Sequence, residues 1–357
     1  RCLCNVSHPS NLSANNLYGN AVVDVLPTHG FQWLTQRKID QLDASSWDAQ
    51  GPDGLFLEVD LRYPPELHDS HNCYPLAPEP FTIQPDMLSP YCRDICDKQQ
   101  FAPKPTTKLA PNLLDKTKYI CHIRKLQLYL RLGLKLDKVH RGIRFKQSKW
   151  MEPYISFNTE MRKRACNEFQ KDLHKLANNS AFGKTMENPR RYKTVKFATT
   201  QEEFLKRTRK PQFYQFSIFS ENLVACCMHP TITELNKPIY VGFTVLELSK
   251  ETMFQFHYDR MRPLYVDNAK LLMTDTDSLM YEVHTQDIYA DMQNHSDWYD
   301  FSDYPTDHPL HSLTNKKVLG KMKDETASIP IGEFIGLRSK MYSIRYGRVE
   351  RLSLIHI

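Results

Sequence analysis

Leu271-Leu272-Met273-Thr274-Asp275-Thr276-Asp277-Ser278-Leu279-Met280-Tyr281 is the stretch on which the reading of this chain turns. Two apolar triplets flank a polar turn, and this pattern predicts two antiparallel strands joined as a hairpin. The turn sets two carboxylates two residues apart. Acids that close repel one another and lose solvation unless a cation lies between them. Hard divalent cations such as Mg²⁺ take oxygen ligands from one or two carboxylates plus substrate phosphates. Surface turns also favour Asp for its own backbone chemistry, so the hairpin alone does not separate a metal site from an ordinary turn.

A second acidic strand shifts the balance. In Leu55-Phe56-Leu57-Glu58-Val59-Asp60-Leu61, Glu58 and Asp60 stand two apart, which puts both on one face of an otherwise apolar strand. If this strand meets the hairpin, three or four carboxylates surround a two-metal site. Such a site activates an attacking oxygen and stabilises a leaving one in phosphoryl transfer. A helix is expected from about Thr159, as N-cap, to about Asn178, with Met161, Ala165, Phe169, Leu173 and Leu176 as its apolar stripe. Lys163, Lys171 and Lys175 then share another face of that helix.

The charge distribution is uneven. The 357 residues carry a formal net charge of +6, yet residues 98–210 hold 28 Lys/Arg against 9 Asp/Glu. Residues 98–149 alone hold 14 basic and 2 acidic side chains, with Tyr119, Tyr129, Phe145 and Trp150 interleaved. That combination suits tracking a nucleic-acid backbone, although core placement explains individual aromatics equally well. Nine cysteines without a CxxC pair, and no visible leader, read as a reduced intracellular protein. No apolar run has the length of a membrane span, so no membrane partner is expected. His68, His71, Cys73, Cys92 and Cys96 match no common zinc spacing. The whole reads as α+β.

With these residues in view the chain resembles the family B DNA polymerases, in particular the protein-primed branch of viruses, organellar plasmids and Polinton/Maverick-like transposons. Motif A of that family, usually D-x-x-S-L-Y-P, looks like Glu58-Val59-Asp60-Leu61-Arg62-Tyr63-Pro64. Motif B, K-x3-N-S-x-Y-G, is matched by Lys175-Leu176-Ala177-Asn178-Asn179-Ser180-Ala181-Phe182-Gly183, with Phe182 for Tyr. Motif C is Asp275-Thr276-Asp277-Ser278, and the primer-strand K-x-Y motif is Lys340-Met341-Tyr342.

The resemblance implies a palm with an antiparallel sheet and helices, helical fingers, and an insertion between motifs A and B. It implies Asp60, with Glu58 as the alternative, and Asp275 and Asp277 as ligands of two Mg²⁺ ions, Mn²⁺ being a substitute. Lys163, Lys171 and Lys175 would contact the triphosphate, and Lys175 would also protonate pyrophosphate. Asn179 and Gly183 would shape the floor under the nascent base pair, and Tyr63 would pack under the sugar. Lys340 and Tyr342 would hold the primer terminus. The implied partners are template and primer DNA, deoxynucleoside triphosphates and a terminal protein primer.

The expected organisation is a remnant preceding the palm at 1–53 and a motif A palm strand at 54–64. A basic insertion at 65–150, fingers with motif B at 151–183 and the remaining palm at 184–345 follow. The tail at 346–357 is expected to be truncated or artefactual, the whole being a palm-and-fingers fragment. Two rival readings are an inactive DNA-binding remnant of a mobile element and a D-x-D nucleotide-sugar transferase.

Overall fold

The computed structural model of the chain describes residues 6–338, 340–347 and 349–354. The predicted hairpin forms: strand Ala269–Asp275 pairs antiparallel with Ser278–Thr285, closing with Asp275 opposite Ser278. Strand Val6–Ala14 lies along the other edge of Ser278–Thr285, in register from Val6↔Thr285 to Ser13↔Ser278. Met322–Asp324 and Tyr299–Asp300 complete a five-stranded sheet. Leu12, Leu279, Tyr281, Val283 and Met322 are buried in one core with Met253 and Phe256. Residues 6–14, which lie in the segment expected as a remnant preceding the palm, form the central strand of the hairpin's sheet.

The strand carrying Glu58 and Asp60 belongs elsewhere. Asp53–Arg62 lies between Lys135–Ser148 and Lys116–His122 in a separate four-stranded sheet, whose outer strand is Leu26–Trp33. Leu55, Leu57, Val59 and Leu61 alternate into a core shared with Ile123, Leu126 and Tyr129 of the helix Ile123–Arg131. The basic segment 116–148 thus builds this sheet, and Tyr129 and Phe145 serve as core residues.

The helix Ile239–Gln255 runs between the two sheets, giving Met253 to one core and Phe254 to the other. Its polar residues meet cations from the 123–131 helix. Buried Lys125 pairs with Glu247 at 2.6 Å, and Arg124 with Glu251 at 3.1 Å.

The expected single helix at 159–178 is two helices, Glu152–Arg164 and Glu168–Thr185. Ala165 turns extended (ψ 129°), and the Asn167 side chain caps the second helix by accepting from the Gln170 N–H at 2.9 Å. Thr159 lies inside the first helix and caps nothing. The apolar stripe does not enter the core either: Phe169 and Leu176 are 75% and 65% exposed. Near the chain end, Ile331–Arg338, Met341–Tyr346 and Val349–Leu354 form a three-stranded antiparallel sheet. Part of the expected tail is thus paired strand, and residues 355–357 lie outside the described residues. Among the described residues no helix is long and apolar enough to cross a membrane. The fold is α+β, antiparallel sheets with helices.

Candidate functional site

The hairpin tip holds its two acids apart through an unusual backbone. Thr276 adopts φ 57°, the left-handed region that a β-branched residue rarely visits. Its hydroxyl donates to the Asp275 carboxylate at 3.3 Å, and the Ser278 hydroxyl donates to the Asp275 carbonyl at 3.1 Å. Asp275 is paired with the ammonium of Lys340, which sits in the turn before Met341–Tyr346 with φ 61°. Motif C and the K-x-Y lysine are therefore in direct contact. Tyr342 packs with Met280, Ile331 and Ile344 behind the hairpin.

Asp277 is exposed at the tip, and its carboxyl is pushed above the usual range. Crowding by surrounding chain is the main cause; the Glu325 carboxylate adds to it, and the Lys175 ammonium partly offsets it. The Ala14 N–H donates to the Asp277 carbonyl at 2.7 Å, and the Ser13 hydroxyl is hydrogen-bonded to the Glu325 carboxylate.

Beyond Ser13 the chain turns into the helix Leu17–Val22. Asn16, at φ 45°, caps it through its side chain, which leaves no space for a Cβ at Gly19. This turn delivers two features. Tyr18 stacks on Phe182 of motif B, with ring centroids 4.4 Å apart and planes 18° apart. Its phenol is pushed above the ordinary value by burial first and by Asp277 second. Tyr18, Thr274 and Thr276 line a cleft of about 360 Å³ with Tyr74, Lys250 and Phe254. Asn179 and Gly183 are exposed, and nothing crowds the Gly183 Cα.

Asn15 and Asn16 also line a second cleft of about 540 Å³, between the helices Glu152–Arg164 and Glu168–Thr185 and the loop preceding Met322. Arg162, Lys163, Lys171, Lys316, Lys317 and Lys323 line it together with Glu168, Asp172, Asp300 and Asp303, and Lys171 is paired with Glu168 and Lys323 with Asp303. Lys317 is held below the ordinary lysine value by burial and by repulsion from Arg162, Lys171 and Lys316. The buried Asn178 also lines it, with its side-chain oxygen unpartnered, and the Arg162 Nε is unpartnered as well. Crowded cations and unfilled polar atoms are the chemistry of a polyanion pocket. Lys163 and Lys171 meet in this cleft from two helices, not along one helix face as expected.

Three expected site residues are not brought here. Glu58 is bound by the Arg141 guanidinium at 2.7 and 3.1 Å. Asp60 accepts from the Lys118 N–H at 2.8 Å and pairs with His140, also at 2.8 Å. Both carboxyls are held below their usual range, Glu58 by Arg141 and Asp60 chiefly by the Lys118 N–H. The acids on this apolar strand do require cations, but protein side chains of the neighbouring strands supply them. Tyr63 is buried, its hydroxyl 2.9 Å from His71 Nδ1 and accepting from the Leu76 N–H, and burial pushes it up to about 12. It faces neither cleft.

The residue set does not fit two Mg²⁺ ions. Asp275 is committed to Lys340, and the strand beside the hairpin offers the hydroxyl of Ser13 where a third acid would serve. Among the described residues no three His, Cys, Asp or Glu side chains come together to hold a metal. Sequence reading missed Ser13, Tyr18, Glu325, Arg162, Lys316 and Lys317. A signal for the first two was present: in Ser13-Ala14-Asn15-Asn16-Leu17-Tyr18-Gly19, Leu17-Tyr18 stand at the L-Y positions of D-x-x-S-L-Y-P, with Ser13 at that of the acid.

No protein-family model and no curated protein matches the chain. Among solved structures, Phi29 DNA polymerase complexed with primer-template DNA and incoming nucleotide substrates is similar at TM-score 0.51 and 15% identity. The match covers 96% of this chain and 46% of that one. The orthorhombic crystal form of Phi29 DNA polymerase gives TM-score 0.49 and 14% identity over 96% and 46% of the two chains. The chain thus spans a little under half the length of the polymerase structures it matches, and at such identity the likeness is one of fold: an α+β, DNA-polymerase-like fold.

Proposed function

We propose that the chain is the palm-and-fingers portion of a family B DNA-directed DNA polymerase, holding a primer-template duplex and a deoxynucleoside triphosphate. The observation that carries this reading is the convergence at the hairpin tip. Lys340 lies on Asp275, and Tyr18 of the adjoining turn stacks on Phe182 of motif B. The same turn lines the cleft of Arg162, Lys163, Lys171 and Lys317, where six cations outnumber four carboxylates and would draw a triphosphate. The reaction of such a site is attack of a primer 3′-oxygen on the α-phosphate, with pyrophosphate leaving. The protein-primed branch, a mobile-element origin and a terminal protein partner are supported by the motif spellings alone.

Fluorescence anisotropy with a labelled primer-template and a labelled deoxynucleoside triphosphate tests the binding. Duplex affinity is expected to fall steeply as salt rises. Lys171→Ala with Lys317→Ala should weaken nucleotide binding about tenfold or more, since each removes a charge-assisted phosphate contact. Salt-independent or undetectable duplex binding would sink the reading.

A further inference from the structure

We infer that Ser13 occupies the position of the third carboxylate, so that this chain holds primer-template and nucleotide without the two-ion centre that nucleotidyl transfer needs. The inference rests on the polymerase reading above and sharpens it.

Three observations lead there. First, Val6–Ala14 is the strand hydrogen-bonded to the second strand of the hairpin along its whole length, and it ends with Ser13 opposite Ser278 and Ala14 bonded to Asp277. A side chain at position 13 is thus the neighbouring strand's contribution to the tip. Second, position 13 leads into the turn that stacks Tyr18 on Phe182 and opens on the cationic cleft, so the rest of the local machinery is assembled around it. Third, the other acids that could serve are engaged elsewhere. Glu58 is paired with Arg141, and Asp60 is held by the Lys118 N–H and the His140 ring, in another sheet.

Charge settles what remains. Of the two hairpin carboxylates, Asp275 already faces an ammonium group, that of Lys340. An ion shared by Asp275 and Asp277 would have to displace that ammonium from Asp275. Glu325 does not complete the set: its carboxylate is hydrogen-bonded to the Ser13 hydroxyl, and it repels Asp277 without forming a three-acid group. Hard-cation affinity follows the number of charged oxygen ligands, and a neutral hydroxyl is a poor replacement for a carboxylate.

The test is Mn²⁺ uptake, read by electron paramagnetic resonance, in the full chain with primer-template and a non-hydrolysable deoxynucleoside triphosphate. The unaltered chain is expected to show no two-ion uptake that depends on Asp275 and Asp277. Ser13→Asp should take up two ions with affinity about tenfold higher or more, and a second Asp277→Asn change should abolish the gain. A fresh acid beside Glu325 and Asp277 lowers stability, so melting is followed as well. Ser13→Asp should melt lower than the unaltered chain and recover with Mn²⁺, while the unaltered chain stays indifferent to the ion. Two-ion uptake by the unaltered chain, lost on Asp277→Asn, would overturn the inference whatever Ser13→Asp does. So would primer extension by the unaltered chain at the rate of Ser13→Asp. Loss of duplex binding instead sinks the polymerase reading, and the Mn²⁺ count on the unaltered chain still decides this one.

Discussion

Thr276 concentrates the cost of the site in one residue. A left-handed conformation brings Cβ against the carbonyl and costs an L-residue about 1–2 kcal/mol; only Gly, Asn and Asp visit it readily. Thr276 adds a branched Cβ to that clash, and its φ of 57° lies between the two acids of the tip. The conformation is what lets a two-residue turn close the hairpin with Asp275 against the Lys340 ammonium and Asp277 at the tip. Strain of this kind persists where surrounding structure over-determines it. Thr276→Asn should therefore raise stability, by about 1 kcal/mol, with the hairpin register unchanged. Urea unfolding measures it, and a loss of stability would show that the Thr276 hydroxyl bond to Asp275 outweighs the backbone strain.

Elements differ in how far the sequence announces them. The hairpin was legible because two apolar runs enclose a compact turn, and its pairing partner lies two residues away. Val6–Ala14 was not: Val-Ser-His-Pro-Ser-Asn-Leu-Ser-Ala has a proline, no alternation and mostly polar residues. It is a strand because it lies between strands 264 and more residues distant, a long-range pairing that local propensity does not record. Asp53–Arg62 was read correctly as a buried strand with acids on one face, and its location was misjudged because Arg141, His140 and Lys118 are remote in sequence. Lys163 and Lys171 were legible as a cationic group of one helical region, whereas Lys316 and Lys317 sit in a loop without periodicity.

One element, the helix Ile239–Gln255, holds both sheets, and its grip is ionic as well as apolar. Glu247 accepts from Lys125 at 2.6 Å and from the His122 N–H at 3.2 Å, with the Lys125 and Glu247 side chains 1% and 5% exposed. Removing one partner leaves a buried charge uncompensated, which costs about 3–5 kcal/mol. Lys125→Met is expected to lose that much in urea melts. Adding Glu247→Leu to it should recover most of the loss, because an apolar pair of similar volume removes the orphaned charge. Equal loss in the single and double variants would mean the pair's hydrogen bonds, not its charges, hold the helix.

At the scale of the whole molecule, two buried imidazoles lie where the halves meet. The ring of His122 ends the Lys116–His122 strand beneath the shared helix, and its Nε2 has no partner. His257 continues that helix, with Nδ1 3.0 Å from the Tyr281 hydroxyl of the hairpin strand and Nε2 3.6 Å from Cys73 Sγ. Both are lowered to about 3, chiefly by burial. Arg124 and Lys125 add to it at His122 against Asp24, and Arg262 and His71 add to it at His257. Each folded value lies below the unfolded one near 6.5, so the folded chain refuses a proton that the unfolded chain accepts. The stability these groups contribute is complete above pH 6.5 and is lost as pH falls toward 3. Between pH 7 and pH 5 each should cost about 2 kcal/mol, an order-of-magnitude figure from linkage. Against an ordinary total of about 5–15 kcal/mol, that brings the chain near unfolding at pH 5. Buried His71, lowered to about 4 chiefly by burial, titrates in the same sense, so urea melts at the two pH values measure the sum and His257→Gln should remove about a third of it. Equal stability at pH 7 and pH 5 would mean that the junction admits water to these rings, and that the two halves are not sealed together by the shared helix.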